Sequence, residues 1–303
     1  MVTVDVEALP HRAAGNPLDE LIWGRLPYGE FGIRQLMDTA ERHGITLTMF
    51  LDYAEEALYG TSLLDVGREI HRHGHDLQLH LHETLLPRDF YVERGLRPVR
   101  NLNFAMTDAS KHLAELLCEA HRRTTGDDPL AFRGGGYRYS GPLLQALHDS
   151  GVRLDSSYNA SRSTQPLRLG QKRQFRWASG MYEVPISTVD DFKGNRRLTD
   201  YNFNASMFID CTIETAATRH LDFLDQFYAT HGDEAIAVLV MHSWSLLRLD
   251  RDGHFSAPLP DTLARLDRVF SDLSTNTEIV TATAVVDLIR QGRVPIDYTI
   301  SFR

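Results

Sequence analysis

Cysteine is almost missing from this chain of 303 residues: Cys118 and Cys211 are the whole complement. Two thiols cannot staple a fold of this size, so a disulfide scaffold is excluded and burial of apolar surface must hold the chain together. Both are expected as free thiols, Cys118 lying beside the apolar stripe of a helical stretch. Long apolar runs are missing too. The run Ala235 to Met241 is far too short to span a bilayer, which takes about 20 residues, so no membrane span is expected. There is no basic run, and the net charge is −9, which argues against nucleic acid or an anionic membrane as partner. The start, Met1-Val2-Thr3-Val4-Asp5, has neither a basic n-region nor a small-residue cleavage site. A cytoplasmic location is therefore expected. No internal repeat, low-complexity segment or linker interrupts the chain, which points to a single domain over residues 1–303.

What is present is a regular alternation of short apolar runs and helical patterns. Strands are expected at Met1 to Val6, Ile45 to Leu51, Asp76 to His82, Leu130 to Arg133, Val152 to Asp155, Tyr182 to Ile186, Ala235 to His242 and around Glu278 to Val280. Helices are expected at Gly32 to Arg42, Leu63 to His73, Ala109 to Arg122, Gly141 to Asp149, Thr215 to Tyr228, Asp261 to Phe270 and Ala284 to Gln291. In the first, Ile33, Leu36, Met37 and Ala40 repeat at i, i+3, i+4, i+7; Leu113, Leu116, Leu117 and Ala120 do the same in the third. Strand-then-helix units without a composition break imply an α/β fold with parallel strands, closed into one barrel. Two polar segments, His11 to Tyr28 and Ser161 to Gly180, lack periodicity. Loops that long are more often functional than idle.

The chemistry sits at strand ends. Asp5 and Glu7 are two apart on the first strand and so share a side. Two carboxylates that close repel unless a proton or cation intervenes, although alone they could equally be solvated acids. In Asp76-Leu77-Gln78-Leu79-His80-Leu81-His82 the polar residues alternate with leucines. One face packs and the other presents two imidazoles, a common way to chelate zinc or a similar ion. His71, His73 and His75 flank a glycine at a helix C-terminus and read as surface histidines. Arg133-Gly134-Gly135-Gly136-Tyr137 follows another strand; the glycines allow close backbone approach, and Arg133 is placed to hold a carboxylate. Val238-Leu239-Val240-Met241-His242 carries an apolar strand into an imidazole, a candidate acid or base. In a parallel barrel all strand C-termini meet at one mouth, so these groups converge.

In this order the motifs resemble the polysaccharide deacetylases, carbohydrate esterase family 4, from Thr3 to about Leu246. The resemblance implies a distorted (β/α) barrel of about seven parallel strands and metal-dependent removal of acyl groups. It makes Asp5 the catalytic base and Glu7 a metal ligand, in an Asp-x-Glu variant of the first motif. Of the family's two histidines, the first corresponds to His80. Thr84 stands where the second belongs, four residues on, and His82 takes its place because it shares the strand face. Arg133 would orient the base, with the backbone near Gly136 and Tyr137 binding the oxyanion. Asp155 would keep His242, the general acid, protonated. The family's tryptophan beside that aspartate is absent, Tyr158 being nearest. Trp244 and Leu246 would line the acyl pocket, and Tyr158 would contact the substrate. The resemblance implies one divalent ion, zinc first, with nickel, cobalt, iron or manganese as other occupants. The expected substrate is a small-molecule or lipid-linked amino sugar carrying an acetyl or formyl group. Two other classes compete. An amidohydrolase-type C–N hydrolase also uses His-x-His, but normally on its first strand. An inactive carbohydrate-binding barrel would not need Asp5, Arg133 and His242 together.

Overall fold

The structure is a computed structural model that describes residues 1–162, 166–167, 169, 173–190, 201–205, 207, 213–258 and 261–302. Strands and helices alternate: β1 (Val2–Val6), α1 (Ile33–Arg42), β2 (Thr48–Asp52), α2 (Thr61–Arg72), β3 (Asp76–Leu81), α3 (Thr107–Thr125), β4 (Ala131–Gly134), α4 (Gly141–Asp149) and β5 (Leu154–Asp155). There follow β6 (Phe175–Trp177), β7 (Tyr182–Glu183), α5 (Ile213–His231), β8 (Leu239–His242), α6 (Thr262–Asn276), α7 (Ala282–Arg290) and β9 (Thr299–Ile300).

One sheet holds these strands in the order β8-β1-β2-β3-β4-β5-β7-β6-β9. The pairings from β8 through β7 are all parallel, while β6 runs antiparallel to β7. This is the expected distorted barrel of about seven parallel strands, and among the described residues strand pairing does not close it into a ring. Residues 203–205 bridge the gap through main-chain bonds to Val240 and Ser187, joined by Val238 N donating to Ser187 Oγ (2.8 Å) and Gln174 Nε2 donating to Glu234 O (2.9 Å).

Strand alternation decides what faces where. Val2, Val4 and Val6, Met49 and Leu51, Leu77, Leu79 and Leu81, and Phe132 pack outward against the helices. Phe50, Ala131, Leu154, Val238 and Val240 fill the interior. Val285 and Val286 of α7 plug its lower end. Asp76 fixes that plug by accepting from Thr283 N (3.1 Å) and Thr283 Oγ1 (2.8 Å). Local signals set the helix limits: Ser140 accepts from Leu143 N to start α4, and Gly126, at φ 87°, ends α3.

Departures from the sequence expectations have physical causes. Residues 278–280 form no strand; they lead into α7, where Thr281 caps Ala284 N. The segment 11–28 is not bare loop, since Leu18–Trp23 forms a helical turn that buries Leu21 and Ile22. His75 is buried, its Nδ1 accepting from Leu47 N (3.1 Å), and burial lowers its pKa. Cys118 is a free, buried thiol, whereas Cys211 and part of 161–180 lie outside the described residues.

Candidate metal and catalytic site

The inward positions at the C-terminal strand ends carry the charged groups, whereas those lower down mix Phe50, Ala131 and Leu154 with Thr3, Thr48, Asp76 and Gln78. Asp5 and Glu7 come from β1 and its extension, His80 and His82 from β3, Arg133 from β4 and His242 from β8. Register brings them level: Asp5 pairs with His242, and His80 with Arg133. Asp5, Glu7, His80 and Arg133 are all buried.

Glu7 stands between the two imidazoles. Its Oε2 is 2.5 Å from His82 Nε2 and 3.4 Å from His80 Nε2. One ligand atom from each of Glu7, His80 and His82 lies within 4.8 Å of the others. The two rings meet edge to face at 5.2 Å. Burial alone would push the Glu7 carboxyl up, but the flanking imidazoles hold it well below the usual range. Burial depresses His82, and Glu7 reverses this and lifts the ring to about 10. His80 moves up in the same way, burial being outweighed by Asp5 and Glu7. Both ring nitrogens of His80 are buried without a hydrogen-bonded partner, and Glu7 Oε2, also buried, meets the imidazoles only in ion-pair contacts that lack hydrogen-bond geometry. Such groups are costly unless something ligates them. Two imidazoles and a carboxylate suit a divalent transition ion, so these three residues fit the metal expected here. The other nearby donors do not compete: Glu83 turns to Arg138 (2.8 Å), and Thr84 is exposed.

Arg133 is fully buried and anchored on all sides. Its Nη1 donates to Asp5 Oδ1 (2.7 Å) and Thr3 Oγ1 (2.9 Å). Its Nε donates to Ser156 O (3.1 Å), its Nη2 to Ser156 Oγ (3.2 Å), and it lies over the Phe50 ring. Asp5 Oδ2 is left facing His242, whose Nε2 is 4.0 Å away and 3.7 Å from Glu7 Oε1. His242 is half-buried and stacks on Trp244 at 5.0 Å, which in turn stacks on Phe255. The turn after β4 places Gly136 and Tyr137 consecutively at φ 60° and 61°. Positive φ at a tyrosine is uncommon and strained, typical of backbone held for a purpose. Burial and the charge of Asp5 raise the Tyr137 hydroxyl to about 12.

Three expectations are corrected. No ion pair joins Asp155 to His242 among the described residues. Asp155 pairs in register with Phe132, which faces outward, so alternation turns its carboxylate away from the mouth. There it accepts from Ser157 Oγ (2.5 Å) and lies against Glu183. Tyr158 is buried against Phe175, and its hydroxyl accepts from Leu169 N (3.1 Å). Leu246 is also core. Both side chains are packed in the core. The sequence reading missed Asp52 and Ser156. Asp52 is an inward carboxylate ending the apolar β2, the same signal that drew attention to Asp5 and His242.

A barrel of parallel strands with an acid–imidazole cluster at its C-terminal mouth defines the class, and comparison with solved structures narrows it. The chain resembles a candidate polysaccharide deacetylase from Mycobacterium smegmatis at TM-score 0.62 and 14% identity, covering 100% of this chain and 94% of that one. It also resembles a cobalt-bound family 4 acetyl xylan esterase from Clostridium thermocellum (TM-score 0.47, 12% identity, 98% and 94% covered). A third likeness is to a family 4 pseudoenzyme from Bacillus anthracis (TM-score 0.46, 9% identity, 94% and 64% covered). Neither a protein-family model nor a curated protein matches the chain in sequence. The fold is that of the polysaccharide deacetylases.

Proposed function

We propose that the chain is a metal-dependent hydrolase that removes an acetyl or formyl group from the nitrogen of an amino sugar, its catalytic unit spanning residues 1–303. The observation that carries the reading is the adjacency of three elements: the Glu7–His80–His82 donor set, the Arg133-anchored Asp5 and the half-buried His242. A divalent ion held by that set, zinc or a related metal, would polarise the amide carbonyl and lower the pKa of water. Asp5 takes the proton of the attacking water through Oδ2, because Arg133 occupies Oδ1. Water adds to the carbonyl carbon, and backbone at Gly136–Tyr137 faces the oxyanion. His242 delivers a proton to the nitrogen as the C–N bond breaks, so a neutral amine leaves along with the acid.

A soluble, cytoplasmic protein acting on a nucleotide- or lipid-linked amino sugar is the reading we favour. No described helix is long and apolar enough to cross a membrane. The segment between β3 and α3 offers a cleft of about 480 Å³ lined by Arg97, Arg100, Phe104 and Met106. Its neighbour Asn103 accepts from Tyr139 N, tying the cleft to the glycine turn (3.0 Å). Guanidinium groups beside exposed apolar side chains suit a phosphate-bearing carrier. The test is acetate and formate release from N-acylated amino-sugar nucleotides and lipid phosphates by zinc- or cobalt-loaded protein. Metal binding without release from any of them would favour a carbohydrate-binding barrel.

A further inference from the structure

The cation site needs three side chains from two segments, and both segments run beyond their strands. The sheet pairing of β3 with β4 stops at Leu81 and Gly134, so His82 lies past its last rung. Glu7 likewise lies one residue past β1. Unsupported strand extensions do not hold ligands to within a fraction of an ångström. One short turn supports both.

That turn follows β2 and reads Asp52-Tyr53-Ala54-Glu55. Asp52 and Glu55 are fully buried. Asp52 Oδ2 accepts from His82 N (3.0 Å), satisfying the N–H that the sheet leaves over. Its Oδ1 accepts from Ala54 N (3.0 Å), which fixes the carboxylate itself. Glu55 accepts from Ala8 N through both oxygens (2.8 and 2.9 Å) and from Leu9 N (3.0 Å). Ala8 follows Glu7 directly. Leu9 sits at φ 35°, a conformation that a leucine keeps only where its surroundings impose it. A third constraint acts on the His82 ring. A Cβ on Gly135 would stand 2.6 Å from its Cγ and Cδ2, so only glycine lets the ring lie there.

We propose that Asp52 and Glu55 are positioning residues that clamp the chain at His82 and Glu7 and so preset the cation site, an inference that rests on the metal-binding reading above. Neither carboxylate belongs to the three-residue donor set, and their oxygens accept from main-chain N–H groups. Their contribution is to geometry. The clamp also accounts for a histidine two residues after His80 serving as ligand: main chain and ring are both pinned where the strand has already ended.

The probe is Co²⁺ alone, titrated into chelator-stripped protein and followed by equilibrium dialysis and by the visible d–d bands. Wild type should bind one ion per chain. Outer partners of metal ligands typically account for roughly 10–100-fold in affinity, and Asp52→Ala and Glu55→Ala should lose that much. Asp52→Ala should also change the band shape, because the His82 ring moves. Glu55→Gln keeps an acceptor for Ala8 N and should bind close to wild type. Asp52→Asn has one acceptor oxygen for two N–H donors and should fall in between, which decides the matter if the alanine variants do not fold. Wild-type affinity and bands in Asp52→Asn would overturn the clamp, whatever happens to thermal stability. A wild type that binds no Co²⁺ would overturn both the clamp and the metal-dependent function; binding that every variant retains overturns the clamp alone.

Discussion

Arg133 Nη1 lies 2.7 Å from Asp5 Oδ1, with the two side chains 0% and 5% exposed. Breaking a buried pair of this kind by truncation strands a charge, so Arg133→Ala should cost about 3–5 kcal/mol in urea unfolding. Arg133→Lys keeps the charge but has no fork to reach Asp5, Thr3 and Ser156 together, and its turnover should drop while the fold survives. The double variant Asp5→Asn/Arg133→Met should recover most of the stability and none of the activity. A double variant as unstable as Arg133→Ala would mean that packing over Phe50, not the charge pair, is what matters.

The two acids of β1 should separate cleanly. Glu7 touches both imidazoles, whereas Asp5 touches Arg133. Glu7→Gln and His80→Ala should each release bound zinc in dialysis followed by elemental analysis. Asp5→Asn should keep the ion and lose turnover. Metal lost from Asp5→Asn yet retained in Glu7→Gln would reverse the assigned roles.

The carboxyls of Asp155 and Glu183 make a prediction about stability against pH. They face one another on the outer side of the sheet, in register and fully buried. Burial raises both: Asp155 to about 6, against the opposing hydrogen bonds with Glu183 and Ser157, and Glu183, with the Asp155 carboxyl alongside, well above its ordinary range. The folded chain thus holds a proton that the unfolded chain has released by about pH 4. Stability from Asp155 is therefore full below that pH and falls as pH rises toward 6, by up to about 3 kcal/mol. Asp155→Asn should flatten that part of the unfolding profile. A wild-type profile that instead rises through this window because of Asp155 would show that the group is held ionised.

The same pair shows where sequence stops being informative. Alternation of leucine with Gln78, His80 and His82 made the inner face of β3 legible, and helix periodicity located α1 and α3 to within a few residues. Alternation also determines that Asp155 points outward, but only once its register with Phe132 is known, and register is a tertiary fact. Glu183 as its neighbour depends on β7 inserting between β5 and β6. Phe175–Trp177 was hidden because a three-residue strand with an arginine at its centre carries no clear period. Nearness in sequence to motif residues points Tyr158 and Leu246 toward the substrate, but packing places both in the core.

His242 is left without the partner expected for it, and that sharpens its test. Its ring is held by stacking on Trp244 and faces Asp5 and Glu7 at 4.0 and 3.7 Å. Asp155 is outside the barrel, so Asp155→Asn should leave the relative rates on amide and ester substrates unchanged. His242→Ala should not. An amine expelled without a proton is a very poor leaving group, and loss of a general acid typically costs roughly 10²–10⁴ in rate. An activated aryl ester leaves as a stable anion and needs no proton. If His242 is the acid, the variant should lose about that factor on an N-acyl sugar and far less on the ester, with bound zinc unchanged. Trp244→Leu, which removes the stacking surface but not the imidazole, should show the same preference in weaker form. Equal losses on both substrates would remove His242 from proton transfer and leave it a role in binding the sugar.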